Sequence, residues 1–145
     1  MREVKIKLTH PDAKIPKKII NTDACYDVVA ISKEDLGDGR FKYGLGFSLE
    51  IPDFTQIDVR ARSSVYKTGL ILCNCIGTGD EGYRGEYMMF FYHVIPTLPV
   101  YEVGDRVGQI QLRSREDIAF TPVLGLSETE RGEGGFGHTN NLIGK

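Results

Sequence analysis

Asp80 stands among Gly77, Gly79 and Gly82, with Tyr83, Arg84 and Glu86 close behind it. A positioned carboxylate can take a proton from water, and glycines let backbone approach a bound molecule closely. An aspartate in such a turn commonly bonds only its own backbone. The aromatic and charged residues crowded after it favour a binding role instead. Read as a short β-hairpin, Gly77 to Glu86 offers free N–H and C=O groups to the edge of a planar base.

Of three further groups, the first and the last have the residue types for phosphate. Arg62-Ser63-Ser64 follows a strand-like run and precedes a short helical turn, so its hydroxyls and first N–H groups can cradle an oxyanion, although a plain serine cap is the better account of them taken alone. Gly104 to Ile110 is a polar turn leading into a strand that carries Gln109 and Gln111 at alternate positions. Arg131 to Thr139 joins a fork-shaped phosphate ligand, glycine amides able to form an anion nest, and Phe136, whose ring can stack on a base. His10, His93 and His138 do not cluster in sequence, and the motif of a zinc nucleobase deaminase is absent.

The elements that position these groups read as strands. Short β-branched and aromatic runs recur between Gly, Pro and Asp breaks, with no helical periodicity beyond about two turns. The expected strands are Val4–Leu8, Tyr43–Ile51, Ile57–Arg62, Gly69–Cys75, Tyr87–Ile95, Arg106–Arg113 and Phe120–Val123, with Cys73 and Cys75 sharing one strand face. Seventeen glycines cluster where the backbone must turn. Two packed antiparallel sheets of the jelly-roll kind are the expected fold.

At 145 residues and 41% hydrophobic, the chain forms one domain without needing disulfides or a structural metal. Its three cysteines are expected to be reduced packing residues. A net charge of −2 builds in no general attraction to nucleic acid or anionic lipid. No apolar run approaches the roughly 20 residues that span a bilayer, and the start lacks a signal-peptide core, so a soluble cytoplasmic protein is expected. Residues 1–130 are expected to form the domain, while residues 131–145 have too few large apolar side chains to order themselves and read either as a frayed end, the commoner fate of such a tail, or as a lid that orders only over a ligand.

Taken in order, Asp23 to Asp27, Arg62-Ser63-Ser64, Gly77 to Glu86, Gly104 to Gln109 and Arg131 to Thr139 resemble the five motifs of the trimeric deoxyuridine triphosphatase (dUTPase) family. The resemblance implies a jelly-roll-like (β-clip) all-β subunit, and a homotrimer whose active sites are each assembled from all three chains. It also implies hydrolysis of dUTP to dUMP and pyrophosphate, which limits uracil in DNA and supplies dUMP for thymidylate synthesis. Asp80 is then the general base for water attack on the α-phosphorus. Tyr83 packs on the deoxyribose, while the hairpin backbone at Gly77, with Asn74, reads uracil. Ser63, Ser64 and Gln109 contact phosphate, with Arg62 and Asp27 supporting the site from behind. Arg131 and Thr139 hold the outer phosphates, Phe136 covers the base, and Gly137 and His138 complete the substrate-binding set. Mg²⁺ is implied, held mostly by phosphate oxygens and water, with Asp27 reaching its water shell.

This chain departs from the family pattern at Gly79, where an aliphatic residue is usual, and at His138, where serine is usual. Cys25, Val65-Tyr66 and Asn140 depart as well. Two rival readings are a metal-independent dCTP deaminase, which uses a glutamate where this chain has Asp80, and a nucleotide-gated regulatory trimer. The Tyr-Arg-Gly-Glu segment and the glycine-rich tail favour the triphosphatase over the first. Asp80, Tyr83, Arg131 and Phe136 together favour it over the second, because binding alone needs no positioned base.

Overall fold

The computed structural model describes residues 2–136. Ten strands form: β1 Lys5–Leu8, β2 Tyr26–Val29, β3 Ser32–Asp35, β4 Arg40–Gly44, β5 Phe47–Glu50, β6 Thr55–Arg60, β7 Leu70–Leu72, β8 Ile76–Gly79, β9 Met88–His93 and β10 Arg106–Ser114. A 3₁₀ turn over Ser63–Lys67 is the one helical element among the described residues. All strand pairs are antiparallel. The strands form two four-stranded sheets, β2-β10-β6-β8 and β3-β4-β9-β7, and a two-stranded ribbon, β1-β5. This is the expected jelly-roll-like architecture. No helix of the described residues is long and apolar enough to cross a membrane.

Strand alternation builds the core. Along β9 the buried side chains are Met89 and Phe91, with Met88, Phe90 and Tyr92 on the other face, as a period of two requires. Tyr43, Phe91 and Tyr101 pack edge to face, with ring centroids 5.7 to 6.2 Å apart. Tyr43 Oη also donates to the Tyr101 carbonyl at 3.0 Å, so its burial strands no hydroxyl. Burying a side chain of this size contributes about 1.5–3 kcal/mol.

Several expected boundaries shift. The run 43–51 is divided at Gly46, whose φ of +70° takes the chain out of extended backbone, and where a Cβ would lie 2.6 Å from Ile31 Cδ1. Phe120–Val123 joins no ladder, since no described strand lies beside it, and Phe120 and Val123 are exposed. Cys73 and Cys75 do not share a strand face: β7 ends at Leu72, Cys75 N–H closes a turn onto the Leu72 carbonyl at 3.1 Å, and Cys75 has φ +61°. That turn carries the chain from one sheet to the other.

Asp58 shows how β6 is held. It is buried and accepts hydrogen bonds from Gln56 Nε2 at 3.0 Å and Arg60 Nη2 at 2.6 Å. Burial, the largest single influence, raises its carboxyl pKa, but the Arg60 and Gln56 donors together outweigh it and leave the group below the ordinary range. A depressed folded pKa means stability that is present above the unfolded pKa and lost as the pH falls through the folded one. Asp58→Asn should therefore cost about 1–3 kcal/mol at pH 7, with the gap from wild type narrowing below about pH 4. Urea midpoints at pH 7 and pH 3 check this, and an equal gap at both would contradict it.

Candidate active site

β8 is an edge strand of its sheet, and β7 together with Cys73, whose N–H donates to the Phe90 carbonyl at 2.9 Å, covers β9 from Phe90 to His93. Beyond those pairings the two strands face each other across a crevice lined by Asn74, Gly77, Gly79, Asp80, Tyr83 and the Met88–Phe90 stretch of β9. The short β-hairpin read over Gly77 to Glu86 is an open one, whose two arms do not pair with each other. β8 pairs with β6, and β9 with β4 and β7. The consequence is an open pair of strand edges with backbone N–H and C=O groups free for a flat polar ligand.

The loop between them is tightly tied. Tyr83 N–H donates to the Asp80 carbonyl at 3.0 Å, and Tyr83 Oη to the Glu86 carbonyl at 3.0 Å. Glu81 accepts from Phe54 N–H at 2.8 Å and Arg115 Nη2 at 3.1 Å, while Glu86 accepts from Thr9 Oγ1 at 2.9 Å. Tyr83 meets Tyr87 edge to face at 5.5 Å, and Tyr87 stacks on Phe47 at 5.7 Å. Asp80 is thereby held exposed at the mouth of the crevice, beside an aromatic face. Sequence reasoning missed the work of Glu81, Tyr87, Thr9 and Arg115, because each acts through a partner that no local motif reveals.

A second polar group forms past the other end of β6. Arg62 Nε donates to Asp27 Oδ1 at 3.1 Å and its Nη1 to Ser64 Oγ at 3.2 Å. Arg106 Nη1 donates to Asp27 Oδ2 at 2.8 Å, and Gln109 Nε2 to the Ala61 carbonyl at 2.8 Å. Ser63 opens the 3₁₀ turn, whose N-cap is Arg62 with no side-chain cap bond, so neither serine serves as the cap. The first turn has no acidic residue. Two guanidiniums against one carboxylate, with hydroxyls beside them, make a net positive cradle suited to phosphate oxygens.

The two groups do not meet within one chain. Gly79 pairs with Ile57 and Ile76 with Arg60, so Asp80 lies at the start of β6 and the Arg62 to Ser64 cradle beyond its end. At about 3.3 Å per residue, the run from Gln56 to Arg62 separates them by about 20 Å. Arg131 and Phe136 reach neither group: Arg131 Nε donates to the Gly134 carbonyl at 2.8 Å, and Phe136 is fully exposed. Gly137, His138 and Thr139 lie outside the described residues.

For a metal, the fit is poor on the protein side. Among the described residues no three His, Cys, Asp or Glu side chains gather as an ion site, and both Asp27 oxygens are held by arginines. A divalent ion here has to rely on its nucleotide for most of its ligands.

An antiparallel jelly-roll-like domain that offers open strand edges to a base, a carboxylate at their mouth and a separate phosphate cradle defines a nucleotide-handling β protein. The chain belongs to the dUTPase family, whose sequence model matches residues 11–140. It is 34% identical over 139 residues to the deoxyuridine 5'-triphosphate nucleotidohydrolase of Clostridium tetani, covering 94% of this chain and 95% of that one. It is 35% identical over 144 residues to that of Fusobacterium nucleatum, covering 96% and 99%. The fold matches the Staphylococcus bacteriophage 80alpha dUTPase solved with dUPNHPP, at a TM-score of 0.81 and 22% identity, covering 95% and 98%. It also matches a variant dUTPase of phage phi11 of S. aureus, described with a structural Mg(II) ion, at a TM-score of 0.73 and 17% identity, covering 87% and 99%.

Proposed function

We propose that the β8–β9 crevice is the nucleoside half of the site at which this protein works. The protein is a hydrolase that converts dUTP to dUMP and pyrophosphate. The observation that carries the site assignment is the convergence of Asn74, Gly77, Asp80 and Tyr83 on one crevice between open strand edges. Free N–H and C=O groups, with the Asn74 amide, complement the donor and acceptor pattern of uracil, and cytosine mismatches it. The Tyr83 ring lies where a deoxyribose packs flat and a 2′-hydroxyl would collide.

In the chemical step Asp80 accepts a proton from a water molecule as its oxygen attacks the α-phosphorus. The bond to the bridging oxygen breaks, and pyrophosphate leaves. Ser63, Ser64 and Gln109, steadied by Arg62 and Asp27, hold the phosphates. The described residues offer Mg²⁺ no site of their own; it would be held by triphosphate oxygens and water, where it would offset their negative charge. Arg131, Phe136, Gly137, His138 and Thr139 close over the bound nucleotide as a lid, which excludes water other than the attacking one.

The working unit is a homotrimer whose sites are shared between subunits. Two features of the chain support this: the gap of about 20 Å between Asp80 and the cradle, and an apolar arm, Ile118, Phe120, Val123, Leu124 and Leu126, that is exposed in the single chain. Contiguous exposed apolar surface of this kind is commonly covered by another chain.

Incubating the protein with dUTP, dCTP, dTTP and UTP in the presence of Mg²⁺, and following pyrophosphate and ammonia separately, tests the assignment. Pyrophosphate from dUTP alone is expected. Hydrolysis of UTP at a similar rate would contradict the role given to Tyr83, and ammonia from dCTP would indicate a deaminase.

A further inference from the structure

Gly79 and Tyr87 occupy one shared space. A Cβ on residue 79 would collide with the Tyr87 hydroxyl and lie 2.8 Å from both Cε1 and Cζ of its ring. The aromatic residue thus fills what a side chain at 79 would fill, so glycine beside the catalytic aspartate leaves no void. The ring is fixed on every side. Tyr87 N–H donates to the Phe47 carbonyl at 2.9 Å, its own carbonyl accepts from Leu45 N–H at 3.1 Å, and its ring is held between Phe47 and Tyr83.

Tyr87 is only 4% exposed, and its hydroxyl has no hydrogen-bond partner among the described residues. A phenylalanine would fill the same space without leaving a buried hydroxyl unpaired. The side chain also lines the crevice, together with Gly77, Gly79, Asp80 and Tyr83. Its one polar atom is shielded from bulk water and lies against Gly79, next in the chain to Asp80. Burial, followed by the nearby Tyr83 and Asp80, pushes the phenol up to about 12, so it stays a neutral donor throughout the physiological range.

We propose that Tyr87 is a further substrate-contacting residue, whose hydroxyl donates a hydrogen bond to a neutral oxygen of the bound nucleoside, and that residue 79 is glycine to admit it. The inference rests on the dUTPase reading of the crevice. Two nucleoside atoms have this chemistry, the 3′-hydroxyl of the sugar and a carbonyl of the base.

The test compares wild type with Tyr87→Phe, using full-length protein, dUMP and 2′,3′-dideoxyuridine monophosphate. Loss of one neutral hydrogen bond should raise the Kd for dUMP about fivefold to tenfold, while the melting temperature stays level or rises because an unpaired buried hydroxyl has gone. A merely structural tyrosine would not separate affinity from stability in this way. If the acceptor is the 3′-hydroxyl, the difference between the two proteins vanishes on the dideoxy ligand; if it is a base carbonyl, the difference persists. A Tyr87→Phe protein that binds dUMP as wild type does, or loses affinity and stability together, overturns the proposal alone. A wild type that neither hydrolyses dUTP nor binds dUMP overturns the reading of the crevice, and this inference with it.

Discussion

Asp80→Asn should lower kcat for dUTP by about 10²–10⁴-fold and leave dUMP binding and the melting temperature nearly unchanged. The substitution keeps the shape of the side chain and removes its ability to accept a proton. The surroundings should survive it, because the loop is held by other bonds: Glu81 to Phe54 and Arg115, Glu86 to Thr9, and the Tyr83 hydroxyl to the Glu86 carbonyl. Base and sugar recognition are assigned to Asn74, the strand edges and Tyr83, none of which is altered. Single-turnover kinetics with dUTP, beside titration with dUMP, separates the two effects. Equal losses in binding and in rate would mean that Asp80 shapes the pocket and does not take the proton.

The second large effect concerns assembly. Within one chain the base and the phosphate cradle stand at opposite ends of β6, too far apart to act on one phosphorus atom. The proposed shared site takes Asp80 from one subunit and the Arg62 to Ser64 cradle from another. Subunits damaged at different places should consequently repair each other, which a site contained in one chain cannot do.

Much of the site could be read from the sequence because its key residues lie in short local motifs. Asp80, Tyr83 and Gly77 fall within ten residues, and Arg62, Ser63 and Ser64 are adjacent. The missed parts depend on contacts distant in sequence. Thr9 reaches Glu86, and Arg115 reaches Glu81. Tyr87 reads as an ordinary strand residue in the sequence, and only the fold puts its ring in the space that Gly79 leaves. Gly79 therefore leaves no gap in its strand, since Tyr87, just ahead of β9, supplies the missing bulk.

The strands show the same division. β9 and β10 carry clear alternation and were legible within one or two residues. β3 is Ser-Lys-Glu-Asp, a polar edge strand that pairs only with β4, and no hydrophobic pattern marks it. β8 is Ile-Gly-Thr-Gly, so its glycines read as turn although the ladder with β6 makes it a strand. Phe120–Val123 erred in the opposite direction. Its apolar residues have strand character, and no neighbour within this chain pairs with them.

Complementation tests the shared site most directly. Asp80→Asn chains and Ser64→Ala/Gln109→Ala chains would be unfolded together at equal concentration, refolded, and assayed for pyrophosphate release from dUTP. Random assembly makes about three quarters of the trimers mixed, each with one intact site of three, so about one quarter of wild-type activity per chain should return. Activity no greater than the sum of the two parent proteins, with mixed trimers confirmed by mass, would contradict a site built between subunits.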